Sequence, residues 1–226
     1  LMDTFTAWQR RTGHTILERY GMSETIMLTS NPYLGARRGA TVGPALPGVE
    51  LRVVDAHNTP VGTGEIGAIQ VKGPNVFAGY WRMPEKTAEE FTADGFFKTG
   101  DVGKRDADHY VSIVGRSKDL IISGGYNVYP AELESFINEL PGVAESAVVG
   151  VPHPDFGEVG VAVVVPRPGA RLEPGEMLAQ LKAGLANYKV PKQCVVVAEL
   201  PRNSMGKVQK NVLRSQYGGT DGLGIS

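Results

Sequence analysis

The chain has 226 residues, of which 42% are hydrophobic and 21% are charged, and its 23 basic side chains nearly balance 24 acidic ones. This composition is typical of a globular protein with a buried core, and it excludes the polyelectrolyte surface that would indicate nucleic acid or an anionic membrane as a partner. Cys194 is the only cysteine, so the chain cannot form an internal disulfide. Because the start lacks a signal pattern and no apolar run has membrane length, we expect a cytoplasmic location.

The first half is predicted to begin with a helix and a strand, and from residue 41 it changes to short β-rich pieces separated by turn residues. Pro84 and Glu85 favour a helix start between two of these pieces. The predicted helices cover 4–11 and 83–91, and the predicted strands cover 15–20, 49–54, 65–71, 96–99 and 109–114. We expect the later strands to form a compact antiparallel sheet or a small β-barrel-like subdomain.

After residue 117 the pattern mixes strands with amphipathic helices, which predicts a second domain of the α+β class. The predicted strands cover 120–122, 147–151, 159–165 and 195–198, and the predicted helices cover 130–140, 176–185 and 208–217. The glycine-rich end, 218–226, is predicted to be a flexible tail.

One predicted turn combines an aromatic ring, a glycine, a carboxylate and a hydroxyl: Tyr20, Gly21, Glu24 and Thr25. A tyrosine can pack against a purine, glycine permits close approach, a carboxylate is a hard ligand for Mg²⁺, and a hydroxyl can donate to a phosphate. The residues therefore indicate a nucleotide pocket, although an ordinary polar turn has the same composition.

Asp101 follows a Lys-Thr-Gly run, where a strand end would present its two acceptor oxygens to a vicinal diol. Arg116, which follows Gly115, could give a cationic contact to the same sugar or its phosphate. The ordinary alternatives are a turn aspartate that bonds its own backbone and a surface ion pair of little energetic value.

Lys207 follows Gly206 in a short polar segment near the end of the chain. A long amine on a short loop can neutralise the charge that develops when a phosphate and a carboxylate are forced together. This predicts a catalytic role for Lys207.

Taken in order, these motifs resemble those of the adenylate-forming superfamily, which includes acyl-CoA synthetases, firefly luciferases and nonribosomal-peptide adenylation domains. The matching segments are 20–24, 64–66 through 79–81, 97–101, 115–119 and 203–207. The resemblance implies these roles: adenine stacking by Tyr20, Mg²⁺ binding by Glu24, an α-phosphate contact by Thr25, ribose binding by Asp101 and Arg116, and a bridge from carboxylate to phosphate by Lys207. Segments 64–66 and 79–81 are expected to be structural and to bracket strands whose aromatic side chains fill the small subdomain.

The resemblance also implies a domain plan that combines α/β and α+β parts. Residues 1–116 would be the rear part of a large N-terminal domain, 117–118 a hinge centred on Lys118, and 119–217 a small mobile C-terminal domain. The phosphate loop of the family lies upstream of the tyrosine-glycine turn, and none precedes Tyr20. We therefore interpret the chain as the rear portion of a larger ligase and expect it to be inactive in adenylation by itself.

Gly124 and Gly125 lie in a segment, 123–130, that resembles the acyl-CoA ligase version of the family. Two glycines leave the backbone open enough for a pantetheine arm to pass, although a plain hairpin turn has the same pattern. Peptide-synthetase domains usually carry an arginine-isoleucine-glutamate run at this point, and this chain lacks one.

Residues 24–32, 37–38 and 43–48 resemble malonyl-CoA synthetases more than long-chain fatty acid ligases. The resemblance implies a small dicarboxylate, malonate or methylmalonate, as the substrate, together with ATP, Mg²⁺ and coenzyme A. Arg37 or Arg38 could hold the second carboxylate, although surface solvation is the more ordinary role.

Three alternatives stay open at this point. The chain could belong to another short-chain, medium-chain or aryl acid ligase, or to a peptide-synthetase adenylation domain that needs a carrier-protein partner. It could also be a non-catalytic module in which Lys207 is the target of a protein lysine acetyltransferase or deacetylase. Acetylation of Lys207 is in addition expected as a form of regulation, because it would remove the charge.

Overall fold

The computed structural model describes residues 2–218. Its contacts divide the chain into two compact units that separate between Ser117 and Lys118. Helices of this chain are short: the longest in the described part have 11 residues, and none there is long and apolar enough to cross a lipid bilayer.

The first unit opens with α1 (Met2–Thr12), which ends at Gly13 in the left-handed region with φ 68°. A short antiparallel hairpin follows, formed by β1 (Arg19–Tyr20) and β2 (Thr29–Ser30). The strand predicted over 15–20 is therefore shorter than expected, because only its last two residues face a partner strand.

An antiparallel sheet forms the body of the first unit, with its strands in chain order. The elements are β3 (Glu50–Val54), β4 (Gly67–Lys72), α2 (Pro84–Glu90), β5 (Phe97–Arg105) and β6 (Val111–Arg116). Alternation along the strands directs apolar residues such as Leu51, Val53, Ile69 and Val71 into one core. Within the described residues the sheet stays open, with β3 and β6 as its edges, so the small subdomain is the expected antiparallel sheet and not a closed barrel.

The second unit is an α+β domain built on a mixed five-stranded sheet. Its elements are β7 (Ile121–Ser123), β8 (Tyr126–Val128), α3 (Pro130–Glu139), β9 (Val143–His153), β10 (Gly157–Pro166), α4 (Pro174–Gly184), β11 (Gln193–Val196) and α5 (Lys210–Tyr217). The central strand, β10, pairs antiparallel with β9 and β7 and parallel with β11.

Both faces of this sheet are buried, which explains why β10 reads as an almost continuous apolar run. Ala162 and Val164 face the cluster that also contains residues of α3 and α4, whereas Val161 and Val163 face the cluster that contains Leu213 of α5. Of the predicted tail, Gly218 donates its N–H to the carbonyl oxygen of Arg214, and residues 219–226 lie outside the described residues.

Candidate nucleotide site and catalytic lysine

The turn between β1 and β2 carries the residues predicted to contact a nucleotide. The N–H groups of Thr25 and Ile26 both donate to the carbonyl oxygen of Met22, which closes the turn. A Cβ atom added to Gly21 would overlap the carbonyl oxygen of Ile26. The turn itself therefore requires a glycine at this position.

We predict that Gly21→Ala destabilises the first unit by roughly 1–3 kcal/mol, because the new methyl group forces the turn open. Urea or thermal unfolding monitored by circular dichroism measures this loss. Gly115→Ala is the matched control, because a Cβ atom at Gly115 meets no atom within 4 Å. It should lower the free energy of unfolding much less than Gly21→Ala does. Equal stability of the two variants would contradict the role of Gly21.

Residues 73–80, which we call the brace, hold this turn from outside. The Asn75 side-chain amide donates to the carbonyl oxygens of Thr25, at 2.7 Å, and Met27, at 2.8 Å. The N–H of Phe77 donates to the carbonyl oxygen of Glu24 at 2.8 Å. The brace therefore sets the backbone of the two residues that were predicted to contact metal and phosphate.

The brace also reaches the carboxylate of Glu24 directly. The Tyr80 hydroxyl donates to Oε1 of Glu24 at 3.2 Å, and burial together with this hydrogen bond raises the pKa of Tyr80 above its usual value. Aromatic side chains of the neighbouring segments, such as Phe77 and Phe97, do pack in the interior, and the Trp81 side chain is exposed. Segment 79–81 was expected to be only structural, but Tyr80 also contacts the candidate site.

Thr25 is fully buried, and its hydroxyl has no hydrogen-bond partner in the described part of the chain. An unsatisfied buried hydroxyl costs about 1–3 kcal/mol, so a ligand atom at this point would relieve a penalty. The neighbouring Glu24 supplies one carboxylate, and residues 2–218 contain no cluster of three potential metal ligands. Mg²⁺ usually binds one or two carboxylates together with substrate phosphates, so this pair fits such a site.

The Asp101 carboxylate accepts hydrogen bonds from two side chains, Tyr20 and Arg116, that are distant from each other in the sequence. Pairing of β5 with β6 sets Asp101 opposite Arg116, whose Nε donates to Oδ1 at 2.9 Å. The Tyr20 hydroxyl donates to Oδ2 at 2.5 Å. The structure therefore brings together the three residues predicted to contact adenosine.

The environment keeps Tyr20 protonated. Burial, followed by the hydrogen bond to Asp101, raises the pKa of Tyr20 well above its usual value. The Tyr20 hydroxyl therefore contacts Asp101 as a neutral hydrogen-bond donor.

Asp101 does not lie at a strand end, as the sequence suggested, but within β5. Gly100 adopts φ 72°, and the pairing with β4 shifts register at this point, so the strand bulges and continues. The Thr99 hydroxyl accepts a hydrogen bond from the N–H of Asp101 and donates to the carbonyl oxygen of Ile69. The ordinary alternative of a turn aspartate does not describe this site.

Sequence reasoning missed Asn75, Tyr80 and Thr99. Gly73 and Pro74 mark a turn before Asn75, but nothing local indicates that this turn lies against residues near position 25. Their contacts span 30 to 56 residues and depend on the folded sheet.

Arg37 and Arg38 have different environments. Arg38 pairs with Asp106 at 3.1 Å and Asp108 at 2.6 Å, so two carboxylates already neutralise it. Arg37 donates to backbone carbonyl oxygens, including those of Pro32 and Tyr33. Arg38 is therefore a poor candidate for a substrate carboxylate, and Arg37 is largely committed to its loop.

In the second unit, Lys207 lies in a tight turn organised by Asn203. The Asn203 side-chain oxygen accepts hydrogen bonds from the N–H groups of Met205 and Lys207, and Gly206 adopts φ 77°. Lys207 is exposed and forms no ion pair within residues 2–218, whereas Lys210 pairs with Glu134 at 2.6 Å. The turn therefore presents one amine to solvent on a rigid support.

Gly124 and Gly125 form the two-residue loop of the β7–β8 hairpin, with φ 55° and 82°. This agrees with the ordinary reading of the segment as a hairpin turn. Gly124 also borders a cavity of about 270 Å³, whose lining includes Phe156, Tyr188 and Lys192. The hairpin therefore lies beside an aromatic cavity with a basic group.

Ser117–Asp119 form one 3₁₀ turn, and Lys118 within it is exposed. Arg214 of α5 pairs with Asp119 at 2.5 Å. The residue after Lys118 is therefore fixed to the second unit.

Comparisons with known proteins match both units. A profile of AMP-binding enzymes matches residues 2–81, and one of the AMP-binding enzyme C-terminal domain matches residues 132–207. The crystal structure of ATP-bound MatB from Rhodopseudomonas palustris is 59% identical, with a TM-score of 0.92 over 96% of this chain and 43% of that chain.

Two curated relatives are each 43% identical. The malonate–CoA ligase of Arabidopsis thaliana matches 92% of this chain and the feruloyl-CoA synthase of an Amycolatopsis species matches 91%. The matches cover 35% and 42% of those proteins. The chain therefore spans about two fifths of the length of the relatives it matches.

Proposed function

We propose, because the chain belongs to the AMP-binding enzyme family, that it is the rear portion of an ATP-dependent, AMP-forming acid–CoA ligase that acts on malonate or methylmalonate. The observation that carries this proposal is the cluster of Tyr20, Asp101 and Arg116 in the unit that also holds Glu24 and the unpartnered hydroxyl of Thr25. This unit offers hydrogen-bonding groups for a sugar at Asp101, a carboxylate for a metal at Glu24 and a hydroxyl donor for a phosphate at Thr25.

Asp101 would grip the ribose of ATP. Oδ1 accepts from Arg116 and Oδ2 from Tyr20, and a carboxylate oxygen can accept more than one hydrogen bond, so both oxygens can also accept from ribose hydroxyls. The hydroxyl contact also orients the ring of Tyr20, whose face would pack against adenine. Thr25 would donate to the α-phosphate, and Glu24 would hold Mg²⁺, which when bound neutralises phosphate charge.

The first half-reaction would join the acid to AMP. A carboxylate oxygen of the acid attacks the α-phosphorus of ATP, and the bond to pyrophosphate breaks. Two negatively charged groups approach each other in this step, so an ammonium group between them stabilises the transition state. Lys207 supplies an exposed amine that no carboxylate of residues 2–218 neutralises.

The second half-reaction would transfer the acyl group to CoA. The thiolate sulfur attacks the acyl carbonyl carbon, the thioester forms and AMP leaves. The open backbone at Gly124 and Gly125 would admit the pantetheine arm, and the adjoining cavity with Phe156, Tyr188 and Lys192 offers aromatic faces and a cation to the CoA nucleotide.

Lys207→Ala should reduce adenylation by about 10² to 10³-fold, because the transition state loses its cation, and should spare thioester formation from supplied acyl-adenylate. Pyrophosphate release and thioester formation, assayed separately in the complete ligase, measure the two steps. Lys210→Ala is the control, since that amine is committed to Glu134. Comparable loss of both steps in Lys207→Ala would contradict the assignment.

The first half-reaction needs Lys207 near the acyl group, and the second needs the segment with Gly124 and Gly125 there instead. We propose that Lys118 is the hinge about which the second unit turns to exchange these two segments. Lys118→Pro locks φ and should reduce one half-reaction at least roughly tenfold while the other stays largely intact. Lys118→Ala leaves the backbone free and serves as the control. Equal reductions in both half-reactions of the proline variant would exclude this role.

For the acid, we expect the complete ligase to prefer malonate over butyrate by about 100-fold or more in kcat/KM, measured by pyrophosphate release. A pocket built for a second carboxylate leaves buried polar groups unpaired when butyrate binds. Ferulate is assayed in parallel, because one relative is a feruloyl-CoA synthase. A preference for butyrate would remove the dicarboxylate assignment, and a preference for ferulate would indicate an aryl acid ligase.

Exposure of Lys207 also makes it accessible to a lysine acetyltransferase. Acetylation would remove the charge on which the adenylation step depends. Regulation at this residue would therefore act on the first half-reaction.

A further inference from the structure

We propose that Tyr80 is a positioning residue for Glu24, which it holds through the hydroxyl contact so that one carboxylate oxygen faces the cation of the nucleotide. This inference rests on the proposed function, because it assumes that Glu24 binds Mg²⁺. It assigns a role to a segment that the motifs marked as purely structural.

The brace is anchored independently of Tyr80. The N–H of Phe77 binds the carbonyl oxygen of Glu24, and the Asn75 amide binds two carbonyl oxygens that follow it in the turn. The position of the Tyr80 hydroxyl relative to Glu24 is therefore set by the backbone, and its contact is available to orient the side chain.

Tyr80 is itself held in place on more than one side. Its N–H donates to the Thr87 hydroxyl at 2.9 Å, and its ring packs edge-on against Phe77 with centroids 4.8 Å apart. A Cβ atom at Gly79 would lie 2.6 Å from Cγ2 of Thr87, at a φ of 148° that favours glycine. The glycine before Tyr80 therefore permits the approach of α2 that fixes the tyrosine.

The contact has the chemistry that a metal-binding carboxylate needs. Oε1 of Glu24 accepts from Tyr80, and Oε2 has no hydrogen-bond partner in the described part of the chain. A neutral hydroxyl donor orients the carboxylate and leaves its negative charge in place, whereas a lysine would neutralise that charge. Partners of this kind fix ligand orientation and typically change metal affinity by about 10- to 100-fold when removed.

The test measures how much Mg²⁺ strengthens binding of a non-hydrolysable ATP analogue to the complete ligase, by calorimetry with Mg²⁺ and with EDTA. Tyr80→Phe should reduce this Mg²⁺ enhancement about tenfold and leave the affinity in EDTA within about twofold. Tyr110→Phe is the matched control, because its hydroxyl donates to the carbonyl oxygen of Ala36 away from Glu24, and it should change neither value.

A double-mutant cycle separates positioning from general damage. Glu24→Gln should remove the enhancement, and adding Tyr80→Phe should cause no further loss, because Tyr80 acts only through Glu24. Additive losses, or an equal loss of affinity with and without Mg²⁺ in Tyr80→Phe, would overturn the inference. If the melting curve shows that Tyr80→Phe does not fold, Thr87→Val replaces it. We expect Thr87→Val to reduce the Mg²⁺ enhancement of analogue binding about threefold.

Failure of the proposed function has a different signature. An unmodified ligase that does not bind the ATP analogue, or whose Mg²⁺ enhancement is unaffected by Glu24→Gln, would remove the nucleotide or metal site itself. An enhancement that depends on Glu24 but is unchanged in Tyr80→Phe would leave that site standing and reject Tyr80 as its positioning residue.

Discussion

A buried carboxylate that must be paired organises the first unit of this protein. The Asp101 side chain is 9% exposed, and desolvation of a charge at that depth is costly unless donors replace the lost water. Tyr20 and Arg116 are those donors. Because one comes from the hairpin and the other from β6, the carboxylate joins two regions that are otherwise distant in the chain.

The same contact explains why the turn at Gly21 and the central sheet form one site. Tyr20 cannot donate to Asp101 unless β1 approaches β5, and the closed turn that follows then places Glu24 and Thr25 in the same neighbourhood as the brace. The brace adds contacts to both residues, so the site has more support than its motifs alone suggest. Rigid support of this kind is what a site for charged substrates needs.

In the second unit, two lysines three positions apart have opposite environments. Lys210 is largely buried in an ion pair with Glu134, which fixes the start of α5, whereas Lys207 lies on the exposed turn held by Asn203. A paired, buried amine contributes to structure because moving it would strand a charge. An exposed amine on a rigid turn can be delivered to a reaction and withdrawn from it.

Local sequence predicted most helices and strands well. Pro84 and Pro130 each begin a helix, Gly13 ends one, and the apolar runs of β9 and β10 are the buried strands they suggest. Each of these features depends on the backbone geometry or the hydrophobic pattern of a few consecutive residues, so it can be predicted from a short stretch of sequence. The order of the motifs was also enough to identify the family.

The sequence by itself therefore determined most of the elements, the family and the candidate residues, because those depend on local geometry and on short motifs. Only the tertiary structure decided that β5 continues through Gly100, that the small sheet stays open, and that Tyr80 and Asn75 support the turn at Glu24. These outcomes depend on strand register and on contacts across 50 or more residues. Such contacts form only when the whole unit offsets the entropy of closing the loops between them.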